Sequence, residues 1–271
     1  MPELPEVETT RRGIAPAVTG HVVRGVLVRD RRLRWPVPPG LSRDLPGATI
    51  NKVRRRAKYL LLETDRGTVI IHLGMSGSLR VVPADSPPSA YDHVDIVLDD
   101  GMCLRLRDPR RFGAVLWTRG DPMGHRLLAR LGPEPLDPAL DANALRARLK
   151  GRRRAIRDTL LDSHVIAGIG NIYANEALFR AGIDPRRAAG RIGRERCGRL
   201  LDALRAVLTD AIRAGGSSLR DFRRADGNPG YFQLSLQVYG RAGEPCPVCG
   251  TPIRRQVRGA RSLYFCPRCQ H

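Results

Sequence analysis

Short apolar runs separated by turn residues fill the first half of the chain. Between residues 21 and 118, turn formers such as Asp65-Arg66-Gly67 and Asp99-Asp100-Gly101 separate runs that are rich in Val, Ile and Leu. The pattern predicts eight strands, at His21–Arg29, Ala48–Arg54, Tyr59–Glu63, Thr68–Leu73, Ser78–Val82, Asp92–Leu98, Met102–Arg107 and Ala114–Thr118. Many short strands in succession are typical of a β-sandwich or a barrel.

Helical spacing is found on both sides of this region. Val7, Ile14 and Val18 form an apolar stripe along a helix predicted at 5–18, and Glu6 lies in its first turn, where an acidic side chain suits the helix dipole. Further helices are predicted at 141–149, 153–162, 171–181 and 193–214.

The change from strands to helices predicts an α+β, multidomain chain. The stretch 131–138 holds three prolines, which is typical of a linker. We therefore predict an N-terminal β-sandwich domain with flanking helices at 1–131, a helical domain at 132–240 and a small metal-binding module at 241–271. The segment 215–231 is rich in Gly, Ser and Asp and predicts a long loop.

Charge indicates a polyanionic partner. The formal net charge is +20, and the arginines are spread along the chain, which favours a folded basic surface that binds nucleic acid. Only Lys52, Lys58 and Lys150 are lysine, the cation that can give up a proton in a reaction. The acidic N-terminus offers no secretion signal, and no apolar run approaches the ~20 residues of a membrane helix. We therefore expect a cytoplasmic protein that has no membrane contact.

Four cysteines near the end of the chain have the spacing of a zinc site. They are Cys246, Cys249, Cys266 and Cys269. Two Cys-x2-Cys hooks at this separation are typical of a closed tetrahedral site, and four thiolates leave no open position, so the single Zn2+ is expected to be structural. Between the hooks, Ile253–Arg258 and Ser262–Phe265 predict a two-stranded ribbon, whereas Cys103 and Cys197 are expected to lie in cores.

The segment 167–176 has the composition of a phosphate-binding turn. Its two glycines precede Asn171, which we expect to cap the following helix, and amide groups at a helix start bind phosphate. An ordinary connection between two helices explains the same pattern.

Two further loops carry residues suited to a DNA duplex. In 72–77 a strand end continues into a glycine turn that carries Met75, which is either a core residue or an apolar wedge for a base stack. In 108–113 the guanidinium of Arg110 accompanies the ring of Phe112, a pair expected to fill a hole in a duplex.

The first residues carry a candidate nucleophile. Initiator methionine is normally removed before proline, which leaves Pro2 with a secondary amine beside Glu3. An α-amino group has a reference pKa of about 8, so a fraction is neutral, and a neutral amine forms a Schiff base with a sugar carbon while a carboxylate moves protons. Many proteins begin with Met-Pro without such a role.

In order along the chain, these segments resemble the formamidopyrimidine-DNA glycosylase family. The shared motifs are Pro2–Glu8, Arg56–Leu60, the 72–77 and 108–113 loops, the 168–176 turn and the zinc ribbon. The resemblance implies a β-sandwich, a helix–two-turns–helix domain and a zinc finger, in a monomer that acts on damaged double-stranded DNA at the bacterial nucleoid. It also implies excision of oxidised purines, chiefly 8-oxoguanine and formamidopyrimidines, followed by β,δ-elimination of the abasic strand.

The resemblance assigns roles to individual residues. Pro2 matches the Schiff-base nucleophile at the sugar C1′, and Glu3 matches its proton donor. Lys58 matches the proton donor of β-elimination, and Arg261 the finger arginine of δ-elimination and phosphate binding. Seven residues match DNA contacts: His72 and Asn171 at phosphates, Met75, Arg110 and Phe112 in the void left by the everted nucleotide, and Tyr91 and Arg152 elsewhere.

Three positions depart from the family pattern. Tyr91 replaces a histidine and Arg157 a lysine, and each keeps a group that binds DNA. Asn228 replaces lysine within Asp226–Phe232, a stretch that caps the damaged base in this family, so lesion preference is the property that this departure affects.

Two alternative functions also fit parts of the sequence. An endonuclease VIII-type glycosylase for oxidised pyrimidines shares Pro2-Glu3 and the zinc ribbon, although Leu4–Glu8 favours the purine branch. A non-catalytic zinc-ribbon DNA-binding protein explains the charge and the cysteines, but it gives no reason for a free Pro2 or for Lys58.

Overall fold

The computed structural model describes residues 2–216 and 236–271, which form two compact units. The first unit is built on residues 2–130, and the second on residues 131–213 and 236–271. Asn228 and most of the predicted loop at 215–231 lie outside the described residues. Of the helices in the described ranges, none combines the length and the apolar character needed to cross a membrane.

The first unit contains two four-stranded antiparallel sheets. The strands are β1 Val23–Val28, β2 Ile50–Arg56, β3 Tyr59–Thr64, β4 Gly67–His72, β5 Ser78–Pro83, β6 Asp92–Leu98, β7 Met102–Arg107 and β8 Ala114–Thr118. The strand orders of the two sheets are β1-β6-β7-β5 and β2-β3-β4-β8. All eight predicted strands are present, because alternating burial and flanking turn residues specify them locally. One core joins the inward faces of both sheets, which confirms the predicted sandwich.

Helix α1, Leu4–Val18, closes part of this core. The predicted apolar stripe is buried, and α1 contacts β2 and β3 of one sheet and β5 of the other. The helix starts in a capping box, in which the backbone N–H of Glu3 donates to Oε2 of Glu6 at 2.8 Å. Both carboxylate side chains are buried, at 4% and 0% exposure, so the start of the helix is fixed against the core.

A second helix of this unit, α2 at Pro39–Asp44, was not predicted. The local sequence has two adjacent prolines and a glycine, which favour a turn. Pro39 nevertheless suits a first helical position, because the N–H group that it lacks would have no partner within the helix. Burial of Leu41 in the sandwich core then stabilises the short helix.

Helices form most of the second unit. They are α3 Ala142–Leu149, α4 Ile156–Leu160, α5 Asn171–Arg180 and α6 Arg194–Arg213. Helix α4 is shorter than the predicted 153–162, because the chain before it pairs with a distant segment. Ile156 N–H donates to Arg187 O at 2.7 Å, and Ala189 N–H donates to Arg154 O at 2.9 Å.

The end of the chain forms the predicted ribbon. Strands β9 Arg254–Arg258 and β10 Arg261–Phe265 pair in antiparallel register. Every residue of β9 is exposed, whereas β10 buries Leu263 and Phe265. A small cluster that includes Phe179 of α5 packs against the ribbon.

Candidate functional site

Pro2 and Glu3 lie at the start of α1. Both residues are buried, and the capping box places Glu6 on the same turn. The N–H of Val7 donates to Glu3 O at 3.1 Å, which fixes the backbone of Glu3. The first unit therefore holds two acidic side chains next to the residue that becomes an imino terminus when Met1 is removed.

Lys58 occupies a tight hairpin turn between β2 and β3. Arg56 pairs with Tyr59, so Ala57 and Lys58 alone form the turn. Ala57 has φ +52°, a conformation unusual for a residue with a Cβ, and its carbonyl accepts a hydrogen bond from Nη1 of Arg55 at 2.9 Å. The half-buried Lys58 is thus presented from a constrained backbone and not from a flexible loop.

His72, at the end of β4, lies opposite Tyr59 and contacts its ring, with 4.9 Å between the centroids. Gly74 N–H donates to Nδ1 at 3.0 Å, so a neutral ring carries its proton on Nε2. Burial, together with the smaller effects of the Lys58 and Arg34 charges, lowers the pKa of His72 to about 4. His72 is therefore a neutral N–H donor beside a lysine, which suits a phosphate oxygen.

Met75 and Phe112 are exposed on two loops that touch each other. Their side chains are 39% and 44% exposed, which excludes the alternative of a core methionine. Gly74 has φ +64°, and a Cβ there would lie 2.4 Å from the N atom of Gly113, so the loop backbones meet at these glycines. The guanidinium of Arg110 lies 4.9 Å from the centroid of the Phe112 ring.

Tyr91 is attached to the second of these loops. Its carbonyl accepts a hydrogen bond from Asp108 N–H at 2.9 Å, and the guanidinium of Arg107 lies 5.4 Å from the centre of its ring. The ring is 46% exposed. The structure therefore brings Tyr91, His72 and the two loops together within the first unit.

In the second unit, Asn171 joins α5 to the ribbon. The prediction that Asn171 caps α5 is wrong: Gly170 is the N-cap, and Asn171 is the first helical residue. Its Nδ2 instead donates to Ser262 O at 2.9 Å, next to Arg261. Asn175, one turn later, accepts the N–H of Tyr264 at 2.8 Å. These two amide side chains place the ribbon arginine beside the start of α5.

Arg157 adds a buried cation near the same ribbon. Its side chain is 2% exposed and pairs with Asp158 at 2.8 Å, but its Nε and Nη2 have no hydrogen-bond partner among the described residues. Burial lowers the pKa of Arg157, and the charges of Arg261 and Arg258 contribute to that shift. Arg152 is exposed, and its Nε donates to a main-chain carbonyl of α3.

The four ribbon cysteines fit zinc. Their sulfur atoms all lie within 4.8 Å of one another, with 3.9 Å between Cys246 and Cys269 and 3.5 Å between Cys249 and Cys266. Zinc–sulfur bonds of about 2.3 Å in a tetrahedron place sulfur atoms about 3.8 Å apart. The four thiolates complete the coordination, which confirms the prediction of one structural zinc. Cys103 and Cys197 are fully buried, as expected.

Sequence reasoning missed three residues that hold these parts in place. They are Asp108, Asn175 and Glu176. The Glu176 carboxylate is 1% exposed and accepts the N–H groups of residues 237, 238 and 239 at 2.8–3.0 Å. The available signal for Glu176 was its helical spacing from Ile172, Tyr173 and Phe179, which places a charged group on an apolar face, where it is rarely buried without partners.

Three family models match the chain. The formamidopyrimidine-DNA glycosylase N-terminal domain matches residues 1–115, the formamidopyrimidine-DNA glycosylase H2TH domain matches residues 131–223, and the zinc finger found in FPG and IleRS matches residues 243–271. The matches follow one another in the order of the sandwich, the helices and the ribbon.

Similar proteins cover the whole chain. A formamidopyrimidine-DNA glycosylase of Thioalkalivibrio sulfidiphilus is 58% identical over 270 residues, and the alignment covers 100% of both chains. One from Bordetella pertussis is 57% identical over 274 residues, covering 100% of this chain and 99% of the relative.

Solved structures agree with the fold. The MutM (Fpg) protein of Thermus thermophilus has a TM-score of 0.89 at 42% identity, covering 99% of this chain and 98% of its own. A Lactococcus lactis Fpg mutant in complex with a Fapy-dG containing DNA has a TM-score of 0.91 at 34% identity and covers 100% of both chains.

Proposed function

Because the chain belongs to the formamidopyrimidine-DNA glycosylase family, we propose that it excises oxidised purines from double-stranded DNA through an imine between Pro2 and the sugar of the lesion. It is a base-excision repair glycosylase that also cleaves the abasic strand. The observation that carries the proposal is the burial of Glu3 and Glu6 on the turn that follows Pro2.

Access to the sugar requires the damaged nucleotide to leave the stack, at a cost of a few kcal/mol. Three void-filling side chains, Met75, Arg110 and Phe112, occupy the gap and keep the opposite base stacked. Their exposure on two abutting loops supports this role. His72 donates its Nε2–H to a backbone phosphate, and in the second unit Asn171, Arg152 and Arg261 bind further phosphates.

The neutral amine of Pro2 attacks C1′ of the everted sugar. The nitrogen–carbon bond forms as the bond to the damaged base breaks, and the base leaves with the electron pair. The departing base takes up the proton that the Pro2 nitrogen loses, and Glu3 protonates the sugar oxygen as the ring opens, which yields an iminium ion between Pro2 and C1′. The cationic iminium acidifies the hydrogens on C2′.

Two eliminations then cleave the strand. Loss of a C2′ proton expels the 3′ phosphate, and Lys58 transfers the proton in this β-elimination. A second elimination, assisted by Arg261, releases the 5′ phosphate. Lys58 suits proton transfer because its turn is fixed and because lysine, unlike arginine, can lose its charge.

Membership of this family favours oxidised purines as substrates over the oxidised pyrimidines that an endonuclease VIII-type glycosylase excises. Among the similar structures are complexes with DNA that contains Fapy-dG and carbocyclic 8-oxo-G. Excision rates on a panel of lesion duplexes measure the lesion ranking of this chain, in which Asn228 departs from the family pattern.

Borohydride trapping on an 8-oxoguanine duplex tests the imine. Pro2→Gly should reduce the trapped adduct by about tenfold or more, while its affinity for the duplex stays within about twofold. Pro5→Ala, which alters the neighbouring proline of α1 without touching the amine, serves as the control for damage to the helix start. Equal trapping by the Pro2→Gly variant would overturn the assigned nucleophile, and absence of trapping by the unaltered protein would favour the non-catalytic alternative.

We further propose that the protein acts as a monomer on chromosomal DNA in the cytoplasm. Its net charge of +20 supports attraction to that polyanion. Light scattering on the free protein and on its DNA complex measures the stoichiometry, and a mass of two chains per duplex would contradict the monomer.

A further inference from the structure

We propose that Asp108 is a positioning residue that joins the two loops carrying the void-filling side chains, so that these side chains enter a duplex as one unit. The inference rests on the proposed function, because it concerns a step that only a duplex substrate requires. Asp108 itself is completely buried and is not expected to touch DNA.

The Asp108 carboxylate bonds to both loops. Its Oδ1 accepts the hydroxyl of Ser76 at 3.0 Å and the backbone N–H of Arg110 at 3.3 Å. Its Oδ2 accepts the backbone N–H of Gly113 at 2.7 Å. Ser76 and Gly113 each directly follow one of the void-filling side chains along the chain. One carboxylate therefore bonds to the backbone of Arg110, to the backbone next to Phe112 and to the side chain next to Met75.

The backbone of Asp108 is fixed in turn by hydrogen bonds to the start of β6 and to the residue before it. Its N–H donates to Tyr91 O at 2.9 Å, and its carbonyl accepts Nε2 of the buried His93 at the same distance. The carbonyl also accepts the N–H of Arg111 at 3.1 Å. The joined loops are therefore attached to a sheet and not only to each other.

Space around the carboxylate is restricted. A Cβ at Gly113 would lie 2.9 Å from Oδ2 of Asp108 and 2.8 Å from the carbonyl of His72. The groups of Ser76, Arg110 and Gly113 that donate to this carboxylate could reach another acceptor only if the loop backbones moved apart. The arrangement of the void-filling side chains thus depends on an acceptor at this position.

Asparagine at this position has the same shape but one acceptor oxygen fewer. Three donors converge on the two oxygens of Asp108, so the amide NH2 of an Asp108→Asn variant would face at least one backbone N–H or force its bond to open. The loops would then lose their common arrangement while the rest of the sandwich keeps its core.

Comparison of duplex and single-stranded substrates separates positioning from folding. Eversion from a duplex leaves a void that must be filled, whereas a single strand leaves none. We therefore expect Asp108→Asn to slow single-turnover cleavage of a preformed abasic site in a duplex by about tenfold or more, and in a single strand by about twofold or less.

Asp95→Asn is the matched control. Asp95 is equally buried, lies on β6 and accepts hydrogen bonds from Arg105 and Arg29, away from the two loops. The Asp95→Asn variant should change the cleavage rates on the duplex and on the single strand by the same factor. Ser76→Ala removes a single bond to the carboxylate and should lower the duplex rate selectively, which tests the proposal even where Asp108→Asn does not fold.

The outcomes are distinct. A selective loss on the duplex by Asp108→Asn or Ser76→Ala supports the positioning role. Equal losses on both substrates, or no loss on either, would overturn it. Failure of the unaltered protein to cleave either substrate would instead overturn the proposed function.

Discussion

His72 keeps an uncharged hydrogen-bond donor within a strongly cationic surface. Burial and the nearby charges of Lys58 and Arg34 hold its pKa at about 4, and the amide of Gly74 occupies Nδ1. In the proposed mechanism, a neutral ring would bind a phosphate oxygen without competing with Lys58 for a proton. DNA-backbone binding by His72 and proton transfer by Lys58 would then be compatible at one pH.

The stability of the fold should depend on His72 at acidic pH. The unfolded state, with an ordinary pKa of 6.5, takes up a proton before the folded state does. The contribution of His72 is therefore complete above pH 6.5 and is lost as the pH falls toward 4. Urea unfolding measures this effect. Between about pH 7.5 and about pH 4.5, the free energy of unfolding of the original protein should fall by about 2 kcal/mol more than that of the His72→Gln variant. Equal losses would show that His72 is not held neutral.

Lys58 and Lys52 offer a direct comparison of two lysines on one hairpin. Lys58→Ala should slow cleavage of a preformed abasic site by about 100-fold, because proton transfer in the β-elimination is lost. Lys52 is exposed on β2, and Lys52→Ala should remain within about twofold of the original rate. Borohydride trapping should persist in both variants because Pro2 is intact. A Lys58→Ala rate equal to that of the control would remove Lys58 from the mechanism.

At the scale of elements, the sequence specifies what depends on neighbours along the chain. The bounds predicted for β6, β7 and β8 match those observed, because alternation and flanking turns are local signals. The predicted start of α4 was wrong because residues 152–155 pair with residues 187–190, a contact that no local pattern contains.

The candidate site shows the same limit. Motif spacing identified Pro2, Lys58 and the exposed loop residues, but their roles stay predictions until tested. Motif spacing did not reveal Asp108, whose carboxylate accepts a hydrogen bond from the hydroxyl of Ser76, 32 residues away along the chain. The capping role given to Asn171 failed for a related reason, since its side chain bonds to Ser262 on the distant ribbon.

The zinc ribbon should depend on its metal for folding. Exposed β9 contributes nothing to the small apolar cluster around Phe179, Val238 and Ile253, so burial alone provides little stability. Chelation or Cys249→Ser should unfold residues 241–271 and abolish DNA binding. Limited proteolysis, zinc content and duplex affinity measure this, with Cys197→Ser as a cysteine control outside the cluster. Unchanged affinity after verified metal loss would contradict the expectation.

At the scale of the whole molecule, charge governs association with DNA. The net charge of +20 predicts substantial affinity for undamaged duplex, which recognition of a lesion must exceed. This background affinity should be largely electrostatic, because phosphate contacts act by releasing counterions and carry no sequence information.

Salt titration tests this electrostatic background. With about six or more phosphate contacts, affinity for undamaged duplex should fall about 1,000-fold or more between about 50 and 200 mM salt. Arg254→Gln, on the exposed ribbon strand, should reduce the slope of log affinity against log salt by about one. Arg43→Gln, whose partner Asp44 already compensates the charge, should leave the slope unchanged. Equal slopes for the original protein, Arg254→Gln and Arg43→Gln would exclude this ribbon strand from the interface with DNA.

The preference for arginine leaves this protein with very few amines. Lys52, Lys58 and Lys150 are its only lysines, and Lys52 and Lys150 are exposed while Lys58 lies in a constrained turn. Reductive alkylation with carbon-13 formaldehyde would therefore introduce methyl labels at three side chains and at the terminal nitrogen of Pro2. An NMR spectrum of four resonances would report at once on the nitrogens of Pro2 and Lys58, the two proposed to react, in a protein of this size, without deuteration.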